Sequence, residues 1–265
     1  MPDIVDKSVQ AAELAVFERR SLALGAAAFA GLPGRFESFC MGGLRASMAT
    51  AQQYGFLNTI EGLNEQSVEV LPDLLKRFPD PRRATIVATS PSQGLMGRLL
   101  GEGYELAPVR PIAYLRPSAT IRPDGTIIDE WQIHEVSTTQ DAKLFMSLLD
   151  AGYAGTSDVG ALIRAEHALP VIRGFIASRN DQPLAAAAMS LHPTGAVLGG
   201  ASTLPVARGT GAQSALLKHR LRLARSLGAP LAAATAAPRA PSVRNLTRLG
   251  FTIFERTAWR FNDAN

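Results

Sequence analysis

Pro205-Val206-Ala207-Arg208-Gly209-Thr210-Gly211-Ala212-Gln213-Ser214 separates a strand-like run, Val197 to Thr203, from a helix-like run that begins near Gly211 and ends at Leu227. The placement carries more information than the glycines. A helix N-terminus has backbone N–H groups without intrahelical partners and the positive end of the helix dipole, so a loop of small residues there can close around a phosphate. Gly209 and Gly211 remove side chains from the approach, Arg208 adds a cation and Ser214 a hydroxyl. Thr210, Ala212 and Gln213 complete the loop. In the helix-like run Leu216, Leu223 and Leu227, flanked by Leu217, Leu221 and Ala224, recur at helical spacing and are expected to face a core. Lys218, His219, Arg222 and Arg225 are expected to face water, and Gly228 to end the helix.

Upstream of the loop the order of elements is regular. A strand-like Gln132 to Val136 precedes expected helices at about 139–149 and 158–168. Three strands follow, over 171–178, 184–191 and 197–203, joined by turns at Asn180-Asp181 and Pro193 to Gly195, which makes an antiparallel meander. After the long helix come a strand at 231–236, a helix and a closing strand.

The same ending occurs twice. An offset of 147 positions lays Pro91 on Pro238, Leu99 on Leu246, Gly103 on Gly250, Tyr104 on Phe251, Leu106 on Ile253 and Tyr114 on Phe261. Six pairs on one offset, within matching elements, indicate a duplicated domain with a seam at Pro117 to Asp129. The expected domains are 1–120 and 126–265. On this offset Glu61, Gly62, Leu63 and Asn64 stand where Arg208 to Gly211 stand, so the first half lacks the phosphate loop. Its segment Glu65 to Phe78 still reads as a helix, with Val68, Leu71, Leu74 and Leu75 on one face. Its role is expected to be structural, and Cys40 within it a buried core residue.

The order strand, two helices, three strands, loop, helix, strand, helix, strand over residues 130 to 262 resembles the GNAT acyltransferase superfamily. The family's loop reads Arg or Gln, two residues, Gly, one residue, Gly or Ala; Arg208 and Gly211 match and Gln213 departs. The resemblance implies an α+β fold of two GNAT-like domains, each a mixed, mostly antiparallel sheet flanked by helices, the first degenerate. It implies acetyl-CoA or another acyl-CoA as co-substrate, its pantetheine arm paired with backbone near Thr203, Leu204 and Val206, and direct attack by a primary amine without a covalent enzyme intermediate. The thioester oxygen would meet a backbone N–H of the splayed third meander strand. Most of these enzymes are thought to carry a Tyr as proton donor where this chain has Leu246, so Ser242 or a water is left to protonate the thiolate. Asn245 either orients the cofactor arm or satisfies its own helix. His192 is the candidate base, with a surface turn histidine as the plainer reading. Tyr153 and Asp158, between the two helices, are candidates for the acceptor pocket; for Asp158 a helix cap is the alternative.

Composition agrees with a globular protein. Apolar residues make up 46% of the 265 residues and charged residues 19%, enough for two domains of about 100–150 residues. The net charge of +4 lacks the dense basic stripe and interleaved aromatics expected for nucleic acid. A single cysteine, Cys40, excludes an intramolecular disulfide and a Cys-based metal cluster, and suits a reducing cytosol; no metal and no membrane are expected. Arg19-Arg20 before the apolar run Leu22 to Leu32 loosely imitates a twin-Arg signal, but an amphipathic or buried first helix is the plainer reading. Three functions remain: acetyl transfer to a small-molecule amine, transfer of a longer acyl group from CoA or from an acyl carrier protein, and non-catalytic acyl-CoA sensing. The oligomeric state stays open.

Overall fold

A computed structural model of the chain describes residues 7–116, 131–153 and 156–262. The first half contains α1 (Lys7–Phe29), β1 (Phe36–Met41), β2 (Leu44–Ala49), β3 (Thr59–Glu61), α2 (Leu71–Leu75), β4 (Thr85–Ala88), α3 (Gln93–Gly101), β5 (Tyr104–Ala107) and β6 (Ile112–Leu115). The second contains β7 (Gln132–Glu135), α4 (Thr139–Tyr153), α5 (Ser157–His167), β8 (Arg173–Arg179), β9 (Gln182–His192), β10 (Gly195–Thr203), α6 (Ala212–Ser226), β11 (Ala232–Thr235), α7 (Pro241–Arg248), β12 (Thr252–Phe254) and β13 (Thr257–Phe261). The seam expected at Pro117 to Asp129 lies outside the described residues.

The strands form two mixed, mostly antiparallel sheets flanked by helices, an α+β architecture. One sheet runs β1-β2-β3-β4-β13-β5 and the other β12-β6-β11-β10-β9-β8-β7. Each half gives its last strand to the other half's sheet. β13 pairs antiparallel with β4 and β5, and β6 with β11 and β12. The 147-residue offset predicts this symmetry in part, because β4, α3, β5 and β6 repeat as β11, α7, β12 and β13. The exchange is anchored by packing: Trp259 of β13 is fully buried among first-half residues such as Ile86, Leu99 and Leu74, and Ile112 of β6 lies with Val197 and Ala233 beneath α1.

In the second sheet, β9 is an alanine strand. Ala185 and Ala187 face the α6 side, Ala186 and Ala188 the α4–α5 side, and all four are fully buried. Methyl groups on both faces let helices close in from both sides, which Leu or Ile would prevent at native packing density. The apolar stripe of α6 consists of Ala212, Ala215, Leu216, Leu217, Leu221 and Ala224; Leu227, expected on it, is exposed at the helix end. His219 was expected in water, yet its ring lies 5.2 Å from that of Phe175, half-buried.

Two expectations for the first half are corrected. The helix read over Glu65 to Phe78 shortens to a 3-10 turn, Val68–Val70, and the five residues of α2. Asn64 Oδ1 accepts the N–H groups of Gln66 and Ser67, which fixes a turn there, and Pro72 and Pro79 confine the helical stretch beyond it. Cys40 is exposed: β1 is an edge strand, and alternation turns Phe39 and Met41 toward the core and Cys40 away from it. Arg19 and Arg20 lie in the middle of α1, bonded into the fold, and no helix among the described residues is long and apolar enough to cross a membrane.

Candidate functional site

β10 and β11 run parallel but pair only at Ala196↔Ala232 and Val197↔Ala233. Beyond Val197 the strands diverge. On its other edge β10 stays paired with β9 as far as Thr203, with a register break between Gly199 and Ser202. Gly200 sits in this break at φ +56°, with His167 pressed against it; a Cβ there would lie 2.1 Å from His167 Nε2. From inside, Arg220 of α6 holds the break. It is fully buried, and its Nη1 donates to Ala188 O at 2.8 Å and to Gly199 O at 3.4 Å. An arginine on the apolar face of a helix was the signal for it.

The divergence opens a cleft of about 530 Å³, walled by β10, the end of β11 and the start of α7. Arg220, Ser242, Asn245 and Leu246 line it. A second cavity, about 350 Å³, continues it toward the loop, and Thr203, Arg208, Gln213, Pro241 and Asn245 border both. Gly209, Gly211, Ala212, Ser214 and Arg248 line this outer part.

The loop has the features an anion requires. Gly209 and Gly211 take φ +79° and +93°, a left-handed backbone that favours glycine, and Gly211 is the N-cap of α6 without a side-chain cap. The first-turn N–H groups of α6 therefore face the cavity end with no intrahelical acceptor. Space around Gly209 is open to 4 Å. Thr210 stiffens the loop, its hydroxyl donating to Ala207 O at 2.6 Å and its carbonyl accepting from Trp131 Nε1 at 3.3 Å. Gln213 turns back, its Nε2 donating to Ser202 O and Thr203 Oγ1, both at 2.7 Å. Its side chain thus ties the helix start to the end of β10 and leaves the backbone donors clear.

Leu204 and Val206 lie apart from the cleft. Leu204 packs beside Phe145 and Ile176 with its N–H donated to Leu184 O, and Val206 is 80% exposed; neither lines the cavities. Leu246, where an acid is expected, is an apolar wall of the cleft, with Ser242 one turn earlier on the same side. Tyr153 closes α4. Asp158 lies in the first turn of α5 but does not cap it, since Thr156 Oγ1 accepts the Val159 N–H.

His192 pairs with Gly195 at the closed end of β10, four residues from Gly199, or about 13 Å along a strand. Its Nε2 lies 2.8 Å from Ser190 Oγ and its Nδ1 3.4 Å from Glu18 Oε2. Burial and then Arg19 hold its pKa down to about 4.

His167 carries no signal in the sequence that marks it as a site residue. Its Nδ1 lies 2.8 Å from Ile163 O, a carbonyl that can only accept, so Nδ1 carries the proton and Nε2 the lone pair. Nε2 is buried without a partner among the described residues, behind Gly200. Burial, opposed by Glu166 and aided by Arg19, lowers its pKa and favours the neutral ring. Arg19 Nε donates to Glu166 Oε1 at 2.8 Å and its Nη1 to Val197 O at 3.2 Å, which ties α1 to α5 and to β10.

In the first half, the counterpart of the loop turns inward. Burial would raise the Glu61 carboxyl, but Arg20, Arg256 and Arg45 outweigh it and hold the pKa down to about 2. Leu63 is buried, and Asn64 forms the turn that ends the approach.

Solved structures share this architecture. A GCN5-related N-acetyltransferase from Kribbella flavida aligns with a TM-score of 0.62 at 16% identity, covering 96% of each chain. The chain has the GNAT fold, twice over. A second GCN5-related N-acetyltransferase with this fold, from Sphaerobacter thermophilus, aligns at 0.53 and 13% identity, over 82% of this chain and 75% of the other. The L-PGS structure from Bacillus licheniformis aligns at 0.54 and 11% identity, over 91% and 88%. No family model and no curated protein matches the sequence. At these identities the likeness concerns the fold alone.

Proposed function

We propose that the second half binds an acyl-CoA, most simply acetyl-CoA, and transfers its acyl group to a primary amine of a small molecule. The observation that carries this reading is the divergence of β10 from β11, which opens a cleft continuous with the glycine loop. The cleft fits the cofactor's shape: a narrow apolar trough for an arm, and at its mouth free backbone donors with Arg208 and Arg248 for phosphates. Bound there, the thioester supplies an activated acyl carbon. The unpaired edge of β10 offers backbone N–H groups to the developing oxyanion, and the Arg220 guanidinium behind it favours negative charge at that point. Among the described residues His167 Nε2 is the ring lone pair set against the break in β10, behind Gly200 and outside the cleft lining, and we assign it the proton leaving the amine. Ser242 stands nearer the thiol end and is the donor available to the thiolate.

Calorimetry with CoA, followed by thiol release from acetyl-CoA across a panel of amines, tests the reading. Micromolar binding with turnover of at least one amine is expected. CoA binding without turnover of any amine would sink the transferase claim, and absence of CoA binding would remove the cleft assignment as well.

A further inference from the structure

A further cavity, about 450 Å³, lies where the two sheets meet, between β3, β4 and β13 on one side and the end of β11 on the other. Its charged wall is unbalanced: Arg20, Arg110, Arg256 and Arg260 face it against the single carboxylate of Glu61. Glu61 is already engaged, its Oε1 accepting from Arg20 Nη2 at 3.2 Å and Arg256 Nη1 at 3.3 Å. Arg256 is further matched by Glu13 at 3.3 Å. The remaining two have no such match. Among the described residues no carboxylate lies within ion-pair distance of Arg110 or Arg260, and the one side-chain bond of the pair runs from Arg260 Nε to Thr85 Oγ1 at 3.3 Å. Burial and then the like charges of Arg260, Arg20 and Arg256, against the pull of Glu61, lower the pKa of Arg110. Guanidiniums crowded against one another at a half-buried surface call for an anion from outside the chain.

Thr235, Ala236 and Ala237 line both this cavity and the cofactor cleft. A molecule held by the arginines therefore borders the edge along which the acyl chain lies in the proposed function, on which this inference rests. We propose that the cavity is the acceptor site and that Arg110 and Arg260 bind an anionic group of the amine, a carboxylate or a phosphonate-like oxyanion. Both present paired oxygens to a guanidinium fork, and 450 Å³ suits a molecule of amino-acid size. Polyamines and other purely cationic acceptors are excluded by the same charge.

The test compares kcat/KM for three amines of one carbon skeleton, ending in carboxylate, carboxamide and phosphonate, in the wild type, Arg110→Gln and Arg260→Gln. Neither side chain holds an ion pair among the described residues, so both variants should fold, and CoA affinity checks this. The wild type is expected to favour an anionic acceptor over the carboxamide by roughly 10- to 100-fold. That ratio should fall toward one in the variants, and the two anionic arms identify the oxyanion. Equal use of the carboxamide, or a ratio unchanged in both variants, overturns the proposal while leaving acyl transfer intact. If no amine is turned over, acyl transfer fails instead, and the cavity is read by calorimetry of the N-acetylated acid and its amide in the presence of CoA. Binding of the acid alone, lost in Arg110→Gln, keeps the site; no difference removes it.

Discussion

Arg110 and Arg256 hold each other by two hydrogen bonds: the Arg110 N–H donates to Arg256 O at 3.0 Å, and Arg256 Nε donates to the Arg110 carbonyl at 2.9 Å. They precede β6 and β13, the strands that cross into opposite sheets. Neither half therefore has a complete sheet of its own. Expressed separately, 1–120 and 126–265 should each show little cooperative structure, because each leaves an open strand slot and uncovered apolar surface. Mixed together they should recover the spectrum of the intact chain. Circular dichroism of each fragment and of the mixture decides this, and a cooperative melt of either fragment alone would refute it.

Ser214 separates helix stability from cofactor binding. It is the third residue of α6, where a carboxylate interacts favourably with the helix dipole, and it lines the outer cavity. Ser214→Asp should stabilise the fold by about 0.3–1 kcal/mol yet weaken CoA by on the order of tenfold, more at low salt. Urea titration and calorimetry on one sample give both signs; unchanged CoA affinity would move the phosphates elsewhere.

Gly200 has no room for a methyl group and a backbone that an L side chain rarely adopts. Gly200→Ala should cost about 1–3 kcal/mol in stability and displace His167 or the break in β10. Turnover is then expected to fall further than CoA affinity. Equal losses would place His167 outside the chemistry.

His192 predicts acid sensitivity. Its pKa falls from the ordinary 6.5 to about 4 in the fold, so below pH 6.5 the unfolded chain takes up a proton that the native ring, facing Arg19, Ser190 and Glu18, refuses. The contribution is complete above pH 6.5 and is lost as pH falls toward 4. Glu61 adds a lower window, from its ordinary 4.5 down to about 2. His192→Gln should flatten denaturation midpoints between pH 6.5 and 4 relative to the wild type, and parallel curves would contradict the assignment.

Local pattern revealed the elements, and distant pairing stayed hidden. The meander, the loop and α6 were legible because period and end signals fall within a few residues of one another. The repeat gave the ends of both halves but not the exchange, since β6 and β13 have matching patterns and either slot suits either strand. No local pattern marks Arg256 or Glu61 as buried; their burial depends on partners up to 243 residues apart. His167 stands at a helix end between Glu166 and Ala168, with no motif around it, and only the fold sets it behind Gly200. Cys40 shows the converse, an apolar-looking residue whose edge strand turns it outward.

The strand exchange also bears on how such a chain can change over generations. A half without a cofactor loop would ordinarily be free to disappear, but here its loss would strip β6 from the sheet that carries the cleft. The copy without the loop is then kept for the strand it lends, and its wall of the arginine-lined cavity is left open to variation. If the proposed function holds, a gene built this way can acquire new acceptors by altering the half that lacks the phosphate loop.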